Sequence, residues 1–167
     1  MDFTALQPWL KFLHVAGAFL FVAGHGVSMF VAFRLRGEGD RARMLPLVDL
    51  SASSLAVTFG GLLVMFFSGI AAGITGSYFG RGWIWVSLVL LVVVATVMTP
   101  LASGHFTRVR RALGQRTRDM KPNDPDPAPL PAEEVAALAA GRWPEVTALV
   151  GGGGFVVILW LMMFKPF

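Results

Sequence analysis

The chain has 167 residues, 55% of them hydrophobic and 14% charged, with a formal net charge of +4 and no cysteine. An ordinary soluble domain is roughly 25% charged, so this composition describes a membrane protein. The lack of cysteine excludes disulfides, thiolate metal ligands and covalent c-type haem attachment, and no Walker-type glycine-rich loop is present for nucleotide hydrolysis.

Four segments lack Asp, Glu, Lys and Arg: Phe12–Phe33, Leu50–Gly80, Gly82–Thr107 and Val146–Phe164, of 22, 31, 26 and 19 residues. About 20 apolar residues cross the hydrocarbon core as a helix. None of the four alternates with period 2, so helices rather than barrel strands must satisfy the backbone in lipid. The prediction is an all-α, integral membrane four-helix bundle in one domain, 1–167, with spans at about 9–33, 50–75, 82–105 and 145–164.

The first helix is predicted to start near Pro8 and to end near Arg34, before Gly37 and Gly39. Its apolar run exceeds the roughly 7–15 residues of a signal-peptide core, and Asp2 spoils a basic leader, so a retained span is expected. The second is expected to be capped by Asp49 or Ser51 and to exit at Gly73–Gly76. Its Gly60, Gly61, Gly69 and Gly73 either allow close helix approach or leave room for a flat cofactor. The third runs from Trp83 towards His105, with a kink or early end expected at Pro100.

Residues 112–144 read as an extended loop containing Pro122, Pro125, Pro127, Pro129, Pro131 and Pro144. Within it, Pro131–Gly141 has a proline start, acids in its first turn and a glycine end, the signature of a short helix. Its apolar residues are expected on the membrane surface or on a partner. The fourth span contains Gly151–Gly154, open to the same two readings, tight crossing or cofactor room.

Arg34, Arg36, Arg41 and Arg43 follow the first span, and Arg108, Arg110, Arg111, Arg116, Arg118, Lys121 and Arg142 follow the third. Only Lys11, Arg81 and Lys165 remain for the opposite side, where Trp9, Tyr78, Trp83, Trp85 and Trp160 also gather as an aromatic belt. The positive-inside rule therefore predicts two basic cytoplasmic loops, both termini outside, and a multi-pass protein of the plasma (inner) membrane. The positive charge is a topology signal with lipid as its partner, not a nucleic-acid footprint.

His14 and His25 lie inside the first span, where a titratable group is costly and marks a candidate site. Their 11-residue separation puts them on one helix face about 16 Å apart. Counting about 1.5 Å per residue from the inner edge places His25 about 13 Å and Met98 about 15 Å deep, with His14 and Lys165 both near 30 Å. Two layers follow: His14 with Lys165 near the outer surface, and His25 with Met98 near mid-membrane. His105, about 4 Å deep, reads as interfacial. Histidine and methionine are haem or copper ligands, and without cysteine soft-metal binding must use them, so His14, His25, Met98 and His105 are the candidate metal set. Three histidines cannot fill the four axial positions of a bis-histidine dihaem bundle. No acid lies within a span, which argues against carboxylate-based proton coupling and against a Ser/His/Asp triad.

The stretch Trp9-Leu-Lys-Phe-Leu-His14-Val-Ala-Gly-Ala resembles the first helix of the HemJ-type four-helix membrane protoporphyrinogen oxidases and of copper-resistance protein D relatives. Pro144-Glu-Val and Lys165-Pro-Phe167 resemble the oxidase family's closing segment, and Gly104-His105 with Arg108, Arg110 and Arg111 loosely resembles the end of its third helix. The continuation Val15 to His25 lacks the aromatic and proline-rich residues typical of the oxidase. The resemblance implies b-type haem with His14 as ligand, Lys165 as a further residue of that site and, if the protein is an enzyme, a membrane oxidoreductase. Copper handling through His14, His25 and methionines is the alternative cofactor reading. A third is a non-catalytic subunit that packs, as a homo-oligomer or in a larger complex, through its glycine faces.

Overall fold

A computed structural model describes residues 3–167; Asp2, with its bearing on a leader, lies outside them. A 3-10 turn, Phe3–Leu6, leads into α1, Gln7–Leu35, which carries Pro8 in its first turn as expected. Helix α2, Arg41–Thr75, begins well before the predicted Asp49–Ser51 start. Its cap is Asp40, whose carboxylate accepts from the Ala42 N–H at 2.9 Å. Asp49 instead faces Arg110 at 3.6 Å, and Ser51 donates to Ser28 at 3.2 Å across the helix interface. Helix α2 ends at Gly76, within the predicted exit.

After a 3-10 turn at Tyr78–Gly80, α3 runs from Gly82 to Ala112. It neither ends at Pro100 nor stops at His105, and carries Arg108, Arg110 and Arg111 on its last turns. Helix α4, Ala132–Ala139, is the short helix that its proline start and acidic first turn predict. The fourth crossing is composite: α5, Trp143–Thr147, a π-helical turn over Ala148–Gly152, and α6, Gly153–Phe164. Four helical stretches are long and apolar enough to cross a membrane, so the chain is a multi-pass integral membrane protein.

The crossings pack as two pairs, α1 on α2 and α3 on α6. Glycine makes the first pair possible. A Cβ at Gly61 would stand 2.4 Å from the Phe21 main-chain nitrogen, and one at Gly17 would stand 2.5 Å from that of Met65. Hydroxyls add polar glue, with Ser28 and Ser54 sharing a hydrogen bond at 2.9 Å. On α6, Gly154 admits Val94, whose Cγ2 lies 2.5 Å from the position a Cβ would take.

The arginine-rich ends of α1, α2 and α3 extend into an apolar core of their own. Val31, Leu35, Met44, Val48, Val109 and Leu113 pack there with Val135 and Ala139 of α4. Val135 and Ala139 of α4 are thus covered by its own chain, while Leu138 stays exposed. The three long helices overrun their apolar spans and build the surface on which α4 docks. The proline-rich segment is correspondingly tied down rather than extended. Leu130 N–H donates to the Ala112 carbonyl at 2.9 Å, and Arg116 donates to Asp126 and the Asp124 carbonyl, both at 2.8 Å. Val135→Ala should cost about 2 kcal/mol and expose the 114–131 segment to limited proteolysis, read as faster cleavage in detergent.

At the opposite end Trp83, Ile84 and Leu161 form a smaller cluster with Tyr78 and Phe79. The Trp83 N–H donates to the Phe167 carbonyl at 3.3 Å, and the Phe167 ring covers Gly82. The closing Lys165-Pro-Phe167 segment therefore satisfies a free amide at the start of α3.

Candidate functional site

His14 projects from α1 onto α2. Its Nδ1 lies 2.7 Å from the Met65 carbonyl oxygen. A carbonyl only accepts, so Nδ1 carries a proton, and in the neutral imidazole Nε2 then keeps its lone pair. The ring rests on Gly69, where a Cβ would stand 2.7 Å from Nδ1 and 2.8 Å from Cε1. A carbonyl bond that fixes the tautomer is the usual support of a ligating histidine.

His25 sits about three turns along the same helix. Its ring stacks on Phe21 at a centroid distance of 5.7 Å and an interplanar angle of 12°. Across from it lies Gly151, in the π-helical turn. A Cβ there would be 3.4 Å from His25 Nε2 and 3.4 Å from Met98 Sδ. The imidazole from α1 and the thioether from α3 therefore approach the same glycine. Gly151 is the notch that admits both, and a π-helical turn is a recurring feature of functional sites.

His105 stands apart from both. It is 3% exposed, stacked on Trp143 at 4.8 Å and 13°, and edge-on to Phe106. Its buried Nε2 has no hydrogen-bond partner among the described residues. It is enclosed where α5 begins.

Lys165, expected from its depth to lie level with His14, is placed at the end of the last helix beside Tyr78. It caps α6 in the left-handed conformation, φ 48° and ψ 55°, where a residue other than glycine costs roughly 1–2 kcal/mol. Its ammonium lies over Tyr78 at 5.5 Å and over Trp83 at 5.8 Å from the ring centroids. Tyr78 is level with Gln7, since a Cβ at Gly76 would touch both side chains. That is about 10 Å along α1 from His14. Lys11, one turn from His14, approaches the same Tyr78 ring at 6.0 Å.

The histidines and Met98 were readable as candidates from sequence, but their supports were not. Gly69, the Met65 carbonyl and Gly151 are ordinary positions of a glycine-rich membrane helix. Trp143 and the Lys11–Tyr78 contact carry one weak signal, since Tyr78 is the single tyrosine of the chain. Among the described residues no three His, Asp or Glu side chains converge as a metal cluster.

A family model described as a predicted integral membrane protein, DUF2269, matches residues 8–166. The chain belongs to that family. No curated protein and no solved structure matches it.

Proposed function

We propose that this integral membrane protein binds one b-type haem through His14. The protein would lie in the plasma membrane with its two basic loops cytoplasmic and its termini outside, and serve a redox or haem-related role. One observation carries the haem reading. His14 Nδ1 donates to the Met65 carbonyl, which leaves Nε2 as a preoriented ligand beside a glycine that gives the ring room. The sequence element around His14 and its likeness to the haem-linked oxidases point the same way. Haem bound there would supply one-electron chemistry. The chain's part is to hold the imidazole in a single tautomer and orientation, within a largely apolar surround that sets the iron's potential.

Absorption spectra of detergent-purified protein test this. Wild type, after haem addition, should show a Soret band that His14→Ala loses and His25→Ala keeps. A wild type without a Soret band overturns the reading.

The meeting of His25 and Met98 at Gly151 favours a second reading, a soft ion such as Cu(I) held by imidazole and thioether. Cu(I) titration should then show stoichiometric binding that His25→Ala and Met98→Leu each weaken about tenfold or more. Unchanged binding in both variants would exclude it.

A further inference from the structure

Two ammonium groups from opposite ends of the chain converge on one phenol ring. Lys11 comes from α1 and Lys165 from the turn that closes α6, at 6.0 Å and 5.5 Å from the Tyr78 centroid. Neither has a carboxylate partner among the described residues. Like charges brought together at a low-dielectric boundary repel, and an aromatic face compensates each only in part.

The backbone is also shaped for this convergence. Lys165 holds a positive φ of 48°, and the residue after it is Pro166. Glycine would occupy that cap without strain. A lysine held there, its head over Tyr78 and Trp83, marks a position where the side chain matters.

We infer that Lys11, Lys165 and Tyr78 form a carboxylate clamp that takes the two propionates of the porphyrin ligated by His14; this rests on the haem reading above. Lys11 lies three residues, about 4.5 Å of helix rise, from His14 towards the terminal end. A porphyrin edge directed to that end brings its carboxylates to the lysines, with the Tyr78 hydroxyl as a further donor. Protein cations paired with ligand carboxylates form the stronger class of hydrogen bond. The clamp thus sets which edge of the porphyrin faces the membrane surface.

The test uses full-length protein in uncharged detergent, titrated with haem b and separately with its dimethyl ester, which lacks both carboxylate charges. Wild type should bind the free acid at least about tenfold more tightly than the ester, read from the Soret band. Lys11→Met with Lys165→Gly should remove that preference by weakening the acid and leaving the ester unchanged. Glycine relieves the strain at 165, and ester binding reports that the variant is folded. If the double variant binds haem b as wild type does, the clamp is wrong and the haem reading stands. If wild type gives no Soret band with either porphyrin, both fall. If the variant loses only anionic lipid carried through purification, the lysines serve headgroups and the clamp is overturned.

Discussion

Gly61→Ala should unfold this protein far more readily than the same change at its neighbour Gly60. At Gly61 the new methyl would meet the Phe21 main-chain nitrogen at 2.4 Å and the Gly17 carbonyl oxygen at 2.8 Å. Both obstacles are backbone, so no rotamer change makes room and the two helices must separate. Overpacking a close contact typically costs 1–3 kcal/mol; with a rigid helix on each side about 3 kcal/mol or more is expected. Close approach also matters more in lipid, where no hydrophobic force between helices replaces lost van der Waals contact. At Gly60 nothing lies within 4 Å. Alanine there should be neutral or stabilising by up to about 1 kcal/mol, its helix-propensity advantage. Unfolding midpoints in mixed micelles of rising SDS content measure both. Gly17→Ala should match Gly61→Ala, and the double variant should cost less than the sum, because one separated crossing relieves both clashes. Equal midpoints for Gly60→Ala and Gly61→Ala would refute the glycine-built pair.

The number of crossings was readable because an uncharged run of span length has no other use in a chain this apolar. The boundaries beyond the bilayer were not. Helix α2 begins at Arg41 rather than near Asp49 because residues 41–49 mix arginine, proline and apolar side chains, a pattern without hydropathy contrast. The α4 helix was visible from its proline and acids, yet its apolar face does not say what covers it. The cover is built by the adjoining ends of α1 and α2 together with the end of α3, far along the chain. Depth arithmetic worked for His25 and Met98, which sit in the middle of long helices where rise per residue is regular. For Lys165 it says nothing of the side chain, which a left-handed cap directs to Tyr78. The reading of the glycines split the same way. Gly61 serves a crossing, Gly69 a histidine, and Gly60 neither, although all three look alike in sequence.

That difference gives the second large effect, which follows from the proposed haem site: Gly69→Ala should leave the fold and weaken haem binding. Gly69 lies two turns from Gly61 on the same helix, yet the nearest atoms to its missing Cβ are not backbone. They are Nδ1 and Cε1 of His14, at 2.7 Å and 2.8 Å. A side chain can yield where a helix cannot, so the cost to stability should be about 1 kcal/mol or less. The imidazole must leave the Met65 carbonyl, however, and with that bond goes the fixed tautomer and the aim of Nε2. Loss of such a support typically weakens a metal ligand 10–100-fold. Haem titration of Gly69→Ala should therefore show an affinity at least about tenfold below wild type, with a nearly unchanged SDS midpoint. Gly61→Ala lowers the midpoint instead, and its haem loss should track the unfolded fraction. Substitutions at 61 and 69 thus separate the scaffold from the site. A Gly69→Ala protein with wild-type haem affinity would show that the His14–Met65 bond does not orient a ligand.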